Sequence, residues 1–424
     1  MTSETVLPAP AGSRGRVIFA GLIGNVMEWY DFAVYGYFAS VIGHLFFPSD
    51  DPSVSLIAAF GAFAAGFLVR PLGGLLFGRI GDLVGRKRAL MLSVIAMAVP
   101  TVLIGLLPTY QTIGVAAPIA IVLLRIVQGL SVGGEYTTSV VFLVEHAPPG
   151  RRAFSAVWGL WGAAAGILLG SLVGDIAANS LSAADLAAWG WRIPFLLGAI
   201  VAVTGLLVRR ALHAEAPPAE SASPVRDTFG KHRMAVIRVA LLNIGMGVSF
   251  YAAFVYAVTY IKTIDNLPAT IAFNNNTEAM AVLLLMLPVS AWLADRIGRR
   301  PMLIAGSAIV AVGAIPLFNL MHTSDPSTIF LGELGFAAGF AIMSGSVVVN
   351  VELIPKAVRC TGLAFAYNAA IGLFGGTTPL IAAWLIRSTG DPIAPAYWIA
   401  AAAAVTLLTA LFLIRETRDV PLDQ

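Results

Sequence analysis

Glu28 and Asp31 stand three residues apart in GNVMEWYDFAVYGYF, residues 24–38, inside an apolar run that begins at Val17. That spacing puts both carboxylates on one helix face, which extends to Asn25 on one side and Tyr35 on the other. A second apolar run carries Arg125, and Gln128, Val132, Glu135 and Ser139 share a side of that helix with it. An ionised carboxylate within hydrocarbon costs on the order of several kcal/mol, so it either takes a proton or finds a cation. Counted from the cytoplasmic ends of the expected helices, Asp31 lies at roughly 21 Å, Arg125 at roughly 27 Å, Glu28 at roughly 16 Å and Glu135 at about 12 to 15 Å. Asp31 is thus nearest in depth to Arg125. The chemistry on offer is reversible protonation: burial favours the neutral acid, an approaching arginine favours the carboxylate, and a substrate carboxylate competes for the same arginine. These residues are the proton-coupling candidates, with a static ion pair that fixes helix packing as the competing reading. Asn25, Tyr35, Arg125 and Gln128 are also substrate-binding candidates.

Such residues need membrane-spanning elements to hold them. The 424 residues are 58% apolar and 12% charged, with a mean hydropathy of +0.85, whereas soluble chains are about a quarter charged. The apolar runs are mostly about 20 residues long, enough for a helix to cross a hydrocarbon layer of roughly 30 Å, and they lack the alternation of barrel strands. Twelve spans are expected, at 17–40, 54–78, 89–107, 115–146, 154–177, 192–211, 236–262, 270–293, 302–320, 328–353, 361–385 and 395–414. With the N-terminus inside, nearly all loop Lys and Arg fall on the cytoplasmic side, and only Arg192, Lys262 and Arg387 fall outside. Both termini are therefore expected in the cytoplasm.

The chain also repeats itself. GRIGDLVGRKR after span 2 and SAWLADRIGRRP after span 8 match at Asp82, Gly85 and Arg86 against Asp295, Gly298 and Arg299. VEHAPPGRR and VELIPKAVR, after spans 4 and 10, align Glu145 with Glu352. This predicts two six-helix bundles, 1–212 and 236–424, joined by a cytoplasmic linker over 213–235 that is rich in Pro, Ala, Ser and charge. Repeats around a midplane site are the architecture of alternating-access transporters. A carboxylate at a span end can accept charge-assisted hydrogen bonds from arginine or a helix N-terminus, so Asp82, Gly85, Arg86, Asp295, Gly298 and Arg299 are candidate gating residues.

At these residues the sequence resembles a known family. GRIGDLVGRKR is similar to the signature loop of the major facilitator superfamily, and RIVQG, Arg125 to Gly129, is similar to its fourth-helix motif. GNVMEWYDFAVYG, FAAGFLVRPLGG, LSVGGEY and WGWRIPF, in that order, resemble the metabolite:proton symporter family, which includes α-ketoglutarate, citrate, shikimate and proline/betaine carriers. The resemblance implies a twelve-helix major facilitator fold and gradient-driven import with a proton. It departs at Val258, where relatives often carry proline, and at Glu278, an extra carboxylate. The sugar-porter branch has a comparable acid and arginine pairing on its first and fourth helices.

An organic acid, a di- or tricarboxylate, is the substrate expected from Arg125, with proline or glycine betaine as the alternative. Drug export and a sensor that transports nothing are further rivals. Trp161, Tyr251, Tyr367 and Asn368 join the substrate-binding candidates, while Tyr30, Trp158, Tyr256 and Asn243 are further aromatic and amide groups suited to a cavity. Arg70 and Arg192 are read as structural anchors. Gly162, Gly166, Gly170 and Gly174 form a ladder of small residues for close helix approach. One cysteine, Cys360, allows no internal disulfide. No removable leader is read at the N-terminus, and the short tail after span 12 argues mildly against osmosensing. Enzyme motifs such as GxxxxGK[ST] and HExxH are missing, so no enzymatic activity, cofactor or metal is expected. The expected partners are a small organic acid or zwitterionic solute, protons and membrane lipid, without nucleic acid, in a monomer of the cell inner (plasma) membrane.

Overall fold

The structure is a computed structural model that describes residues 11–74, 76, 86–210 and 224–422. Helices account for nearly all of it. We label the spans α1 (Ala11–Tyr37), α2 (Pro52–Gly74), α3 (Arg86–Leu106), α4 (Ala116–Glu145), α5 (Arg152–Ser180), α6 (Arg192–Arg210), α7 (Arg233–Thr263), α8 (Ala269–Ile297), α9 (Arg299–Met321), α10 (Pro326–Glu352), α11 (Lys356–Thr389) and α12 (Ala394–Phe412). Nine of these are long and apolar enough, among the described residues, to cross a membrane. Leu285, Val312 and Phe412 point outward, each more than 70% exposed, as a lipid-facing surface requires.

Local chemistry sets the helix limits. Asp51 and Asp325 cap α2 and α10, each with proline at the next position, and their side chains accept from Ser53 N (2.8 Å) and Thr328 N (3.0 Å). Gly298 separates α8 from α9 at φ 119°, where a Cβ would meet Glu416. Of the linker expected at 213–235, residues 213–223 lie outside the described residues, Pro224–Phe229 forms a short helix, and α7 already begins at Arg233.

The first and last six helices meet along two seams. The glycine ladder of α5 works as expected, since side chains at Gly162, Gly166 and Gly170 would strike α1 and one at Gly174 would strike the Phe273 ring of α8. Opposite, Phe67 of α2 fills the space left by Gly376 of α11, and Asn368 of α11 donates to the Gly133 carbonyl of α4 at 2.6 Å. Two helices lose their regular pitch at this interface. Wide π turns at Ala252–Tyr256 in α7 and Ile371–Gly375 in α11 re-aim the side chains beside them, and π turns are frequent at functional sites.

Candidate functional site

Between those seams lies a central cavity of about 20 Å³, room for a single water molecule. Its walls come from α1, α4 and α5 on one side and α7, α10 and α11 on the other. Six aromatic residues dominate it: Trp29, Tyr136, Phe250, Tyr251, Phe340 and Tyr367. Tyr136 and Tyr367 stack across the interface with centroids 4.6 Å apart, and Trp29 sits 6.2 Å from Tyr251.

Beside this box is a buried ion pair. Arg70 Nη2 of α2 meets Glu28 Oε1 of α1 at 2.5 Å, both side chains at most 2% exposed. The guanidinium also lies over the Trp29, Phe32 and Phe67 rings at 5.0–5.4 Å. Arg70 Nε and Nη1 and Trp29 Nε1 have no hydrogen-bond partner among the described residues. The cation found at Glu28 is thus Arg70 of α2.

Arg125 is enclosed farther from the cavity, its guanidinium 4.5 Å from the Phe32 and Tyr35 ring centres. A chain of hydrogen bonds ties it to Asp31. Arg125 Nη1 donates to Gln128 Oε1 (2.8 Å), Gln128 Nε2 donates to Thr101 Oγ1 (2.7 Å), and Thr101 Oγ1 lies 2.7 Å from Asp31 Oδ2 and 2.9 Å from the Met97 carbonyl. Thr101 has a single hydroxyl proton, so the two contacts are alternatives. With Asp31 ionised, the hydroxyl donates to the carboxylate. With Asp31 protonated, the carboxyl donates to Thr101, which turns its own proton to Met97. The site therefore satisfies both protonation states without moving a helix.

Other candidates take positions away from the cavity. Asn25 donates to Ser139 Oγ and the Gly159 carbonyl, both at 3.2 Å, and so packs α1 against α4 and α5. Tyr35 donates to the Ala59 carbonyl, and Gln128 belongs to the Arg125 chain. Trp161 donates to the Leu284 carbonyl of α8 at 3.1 Å, along the seam. Asn25, Tyr35, Arg125, Gln128, Trp161 and Asn368 therefore do not line the cavity, whereas Tyr251 and Tyr367 do. Tyr30 donates to the Pro194 carbonyl, and Asn243 pairs reciprocally with Asn350. Asp82, Gly85 and the side chains of Arg86 and Glu135 fall outside the described residues.

At the face read from the sequence as cytoplasmic, the opposite one being read as outer, Asp295 accepts from the backbone N–H groups of Ala153 (3.0 Å) and Phe154 (2.9 Å), which caps the N-terminus of α5 from the other six-helix unit. Arg299 bridges Asp295 and Glu352, at 3.2 Å to each, and Arg359 meets Glu145 at 2.8 Å. At the outer face Tyr37 donates to the Phe254 carbonyl at 2.9 Å and accepts from Asn276 at 2.9 Å, while Asn276 also donates to Ser171 at 3.0 Å. Among the described residues, contacts between the two units thus bridge both faces on either side of the cavity.

Sequence reasoning missed Trp29, Tyr136, Phe250, Phe340 and Thr101. Trp29 and Tyr136 lie inside two of the quoted motifs, but an aromatic in a span carries no mark that separates a cavity wall from packing.

Comparison with known proteins places these features. The sugar (and other) transporter family matches residues 17–217 and 210–424. A glycine betaine/proline/ectoine/pipecolic acid transporter of Dickeya dadantii is 35% identical over 97% of this chain and 85% of its own length. The proline/betaine transporter of Escherichia coli K12 is 34% identical over 97% and 85%. Among solved structures, the inward-open xylose transporter from E. coli superposes with a TM-score of 0.73 at 21% identity, covering 96% of this chain and 98% of that one.

Proposed function

The chain belongs to the sugar (and other) transporter family, within the metabolite:proton symporters of the major facilitator superfamily, and from that premise we propose that it imports a proline- or betaine-type zwitterion together with protons. The observation that carries this reading is the aromatic box beside Arg70, which holds no more than a water in this state and widens to admit a solute as the two units part. Aromatic faces attract quaternary ammonium groups, and the Arg70 N–H groups that Glu28 does not take suit a carboxylate at the other end of the same small molecule. A di- or tricarboxylate, the substrate first expected from Arg125, fits less well: the cavity walls are apolar, and Arg125 is shut away behind Phe32 and Tyr35. The relatives' solutes point the same way.

In this reading Asp31 carries the coupled proton, Thr101 serves both of its states, and Arg125 acts through Gln128 on the same network. Glu28 holds Arg70 instead of titrating. Asp295, Gly298 and Arg299 close the cytoplasmic face, and their repeats Asp82, Gly85 and Arg86 and the carboxylate of Glu135 keep the gating and coupling roles read from sequence. Units 1–212 and 236–424 rock about the cavity, joined by 213–235, with both termini cytoplasmic and a monomer working in the inner membrane among its lipids.

The test is uptake into proteoliposomes under an inward proton gradient, with labelled glycine betaine, proline, α-ketoglutarate and citrate. Glycine betaine or proline should accumulate and a protonophore should abolish it. Accumulation of a di- or tricarboxylate with no uptake of either zwitterion would sink the proposal.

A further inference from the structure

Glu333 lies seven residues into α10, about 11 Å along the helix from its outer end. Its side chain is fully buried, and neither carboxyl oxygen has a hydrogen-bond partner among the described residues. Other buried carboxyls contrast with it: Glu28 has Arg70, Asp31 has Thr101, Asp295 has two backbone amides, and Glu352 has Arg299. A charge at Glu333 would be uncompensated, so this environment holds the neutral acid.

The groups around it reinforce that. Glu278 of α8 and Tyr37 of α1 lie within electrostatic reach, and a second carboxyl only raises the cost of a charge. The other charged groups of α8, Asp295 and Arg296, stand at its cytoplasmic end, as do Arg299 and Arg300 of α9, while His322 follows the outer end of α9. On α7, Lys262 stands at the outer end over the Phe273 ring.

We propose that Glu333 is a second proton-binding site whose occupancy sets the outer closure at Tyr37. Tyr37 holds the outer face shut through its bond to the Phe254 carbonyl and its acceptance from Asn276. A neutral Glu333 leaves those bonds alone. Loss of its proton creates a buried carboxylate within electrostatic reach of the Tyr37 hydroxyl, and drawing that donor off the Phe254 carbonyl breaks the closure. Proton binding thus shuts the outer face and proton release frees it, which is the order a symporter that loads from outside requires. The inference goes beyond the proposed function, because it stands whatever the solute.

Infrared difference spectra of the full chain in nanodiscs, recorded through a pH jump without solute, read the protonation directly. The wild type should show a protonated-carboxyl C=O band at neutral pH that is lost in Glu333→Gln and kept in Asp31→Asn. Spectra of wild type and Glu333→Gln that coincide would overturn the assignment. Spin labels across the outer face test the second half: opening should follow pH in the wild type and stop following it in Glu333→Gln. Opening that still follows pH in the variant, or follows sodium instead, overturns the link to Tyr37. Should Glu333→Gln fail to fold, Glu333→Asp serves, since it must shift the band and not abolish it.

Discussion

The two faces of the molecule are closed by different chemistry. The cytoplasmic closure is ionic and aimed at a helix end: Asp295 on the α5 amides, Arg299 between Asp295 and Glu352, and Arg359 on Glu145. The outer closure is made of neutral hydrogen bonds, Tyr37 to Phe254 and Asn276, and Ser171 to Asn276 and Thr277, with one ion pair at the rim between Asp51 and Arg387. Charge-assisted bonds are roughly twice as strong as neutral ones. The cytoplasmic face is therefore the harder to open, and the outer face yields first to a small change such as arrival of a solute.

Breaking the stronger face gives the largest expected effect. Asp295→Asn keeps the shape and one acceptor oxygen but removes the charge from the α5 amides and from Arg299. At about 2 kcal/mol for a buried charged hydrogen bond, the equilibrium between cytoplasm-closed and cytoplasm-open forms should shift by roughly 30-fold. Distances between spin labels on the cytoplasmic ends of α5 and α8 would report it. An unchanged distance distribution would show that the ionic face does not dominate. The same change should leave the outer face closed, which separates a latch from a general loss of packing.

The weaker face gives the intermediate effect. Tyr37→Phe deletes one hydroxyl and leaves the ring against Phe273, 5.8 Å away between centroids. The hydroxyl makes two neutral hydrogen bonds, each contributing at least about 0.5 kcal/mol net, so outer opening should rise by about fivefold or more. Labelling of cysteines placed on the outer ends of α1 and α7 measures this. A shift as large as that of Asp295→Asn would erase the distinction between the faces.

The same contrast explains what was legible in the sequence. Twelve helices with boundaries a few residues off could be read because length and hydropathy decide who crosses a membrane. Asp295, Gly298 and Arg299 stood out as candidates because they recur in register with Asp82, Gly85 and Arg86, and a charged pattern is conspicuous in an apolar chain. The outer closure was invisible, since Tyr37, Ser171 and Asn276 look like any polar residues in a span. Partners were harder than residues: depth along α1 and α4 put Asp31 beside Arg125 but said nothing of rotation, so the pairing of Glu28 with Arg70 and the Thr101 relay needed three-dimensional packing. Glu333 carried no repeat and no motif, and only its burial without a partner marks it.

The smallest effect belongs to the ion pair at the outer rim. Arg387 Nη2 and Asp51 Oδ2 are 3.0 Å apart, yet both side chains are nearly half exposed, so water and salt screen them. The Ser53 backbone N–H, and then Arg387, hold the Asp51 carboxyl below its ordinary range. A carboxyl so depressed in the folded protein contributes above its unfolded value and loses that contribution only as pH falls through the lower, folded one. Arg387→Ala should therefore leave transport unchanged near neutral pH and at physiological salt, and any difference detected at low salt should fade on acidification instead of growing. Uptake rates at two salt concentrations across an acid series decide it. A large loss of uptake at neutral pH would mean that the rim ion pair, and not the Tyr37 closure, holds the outer face shut.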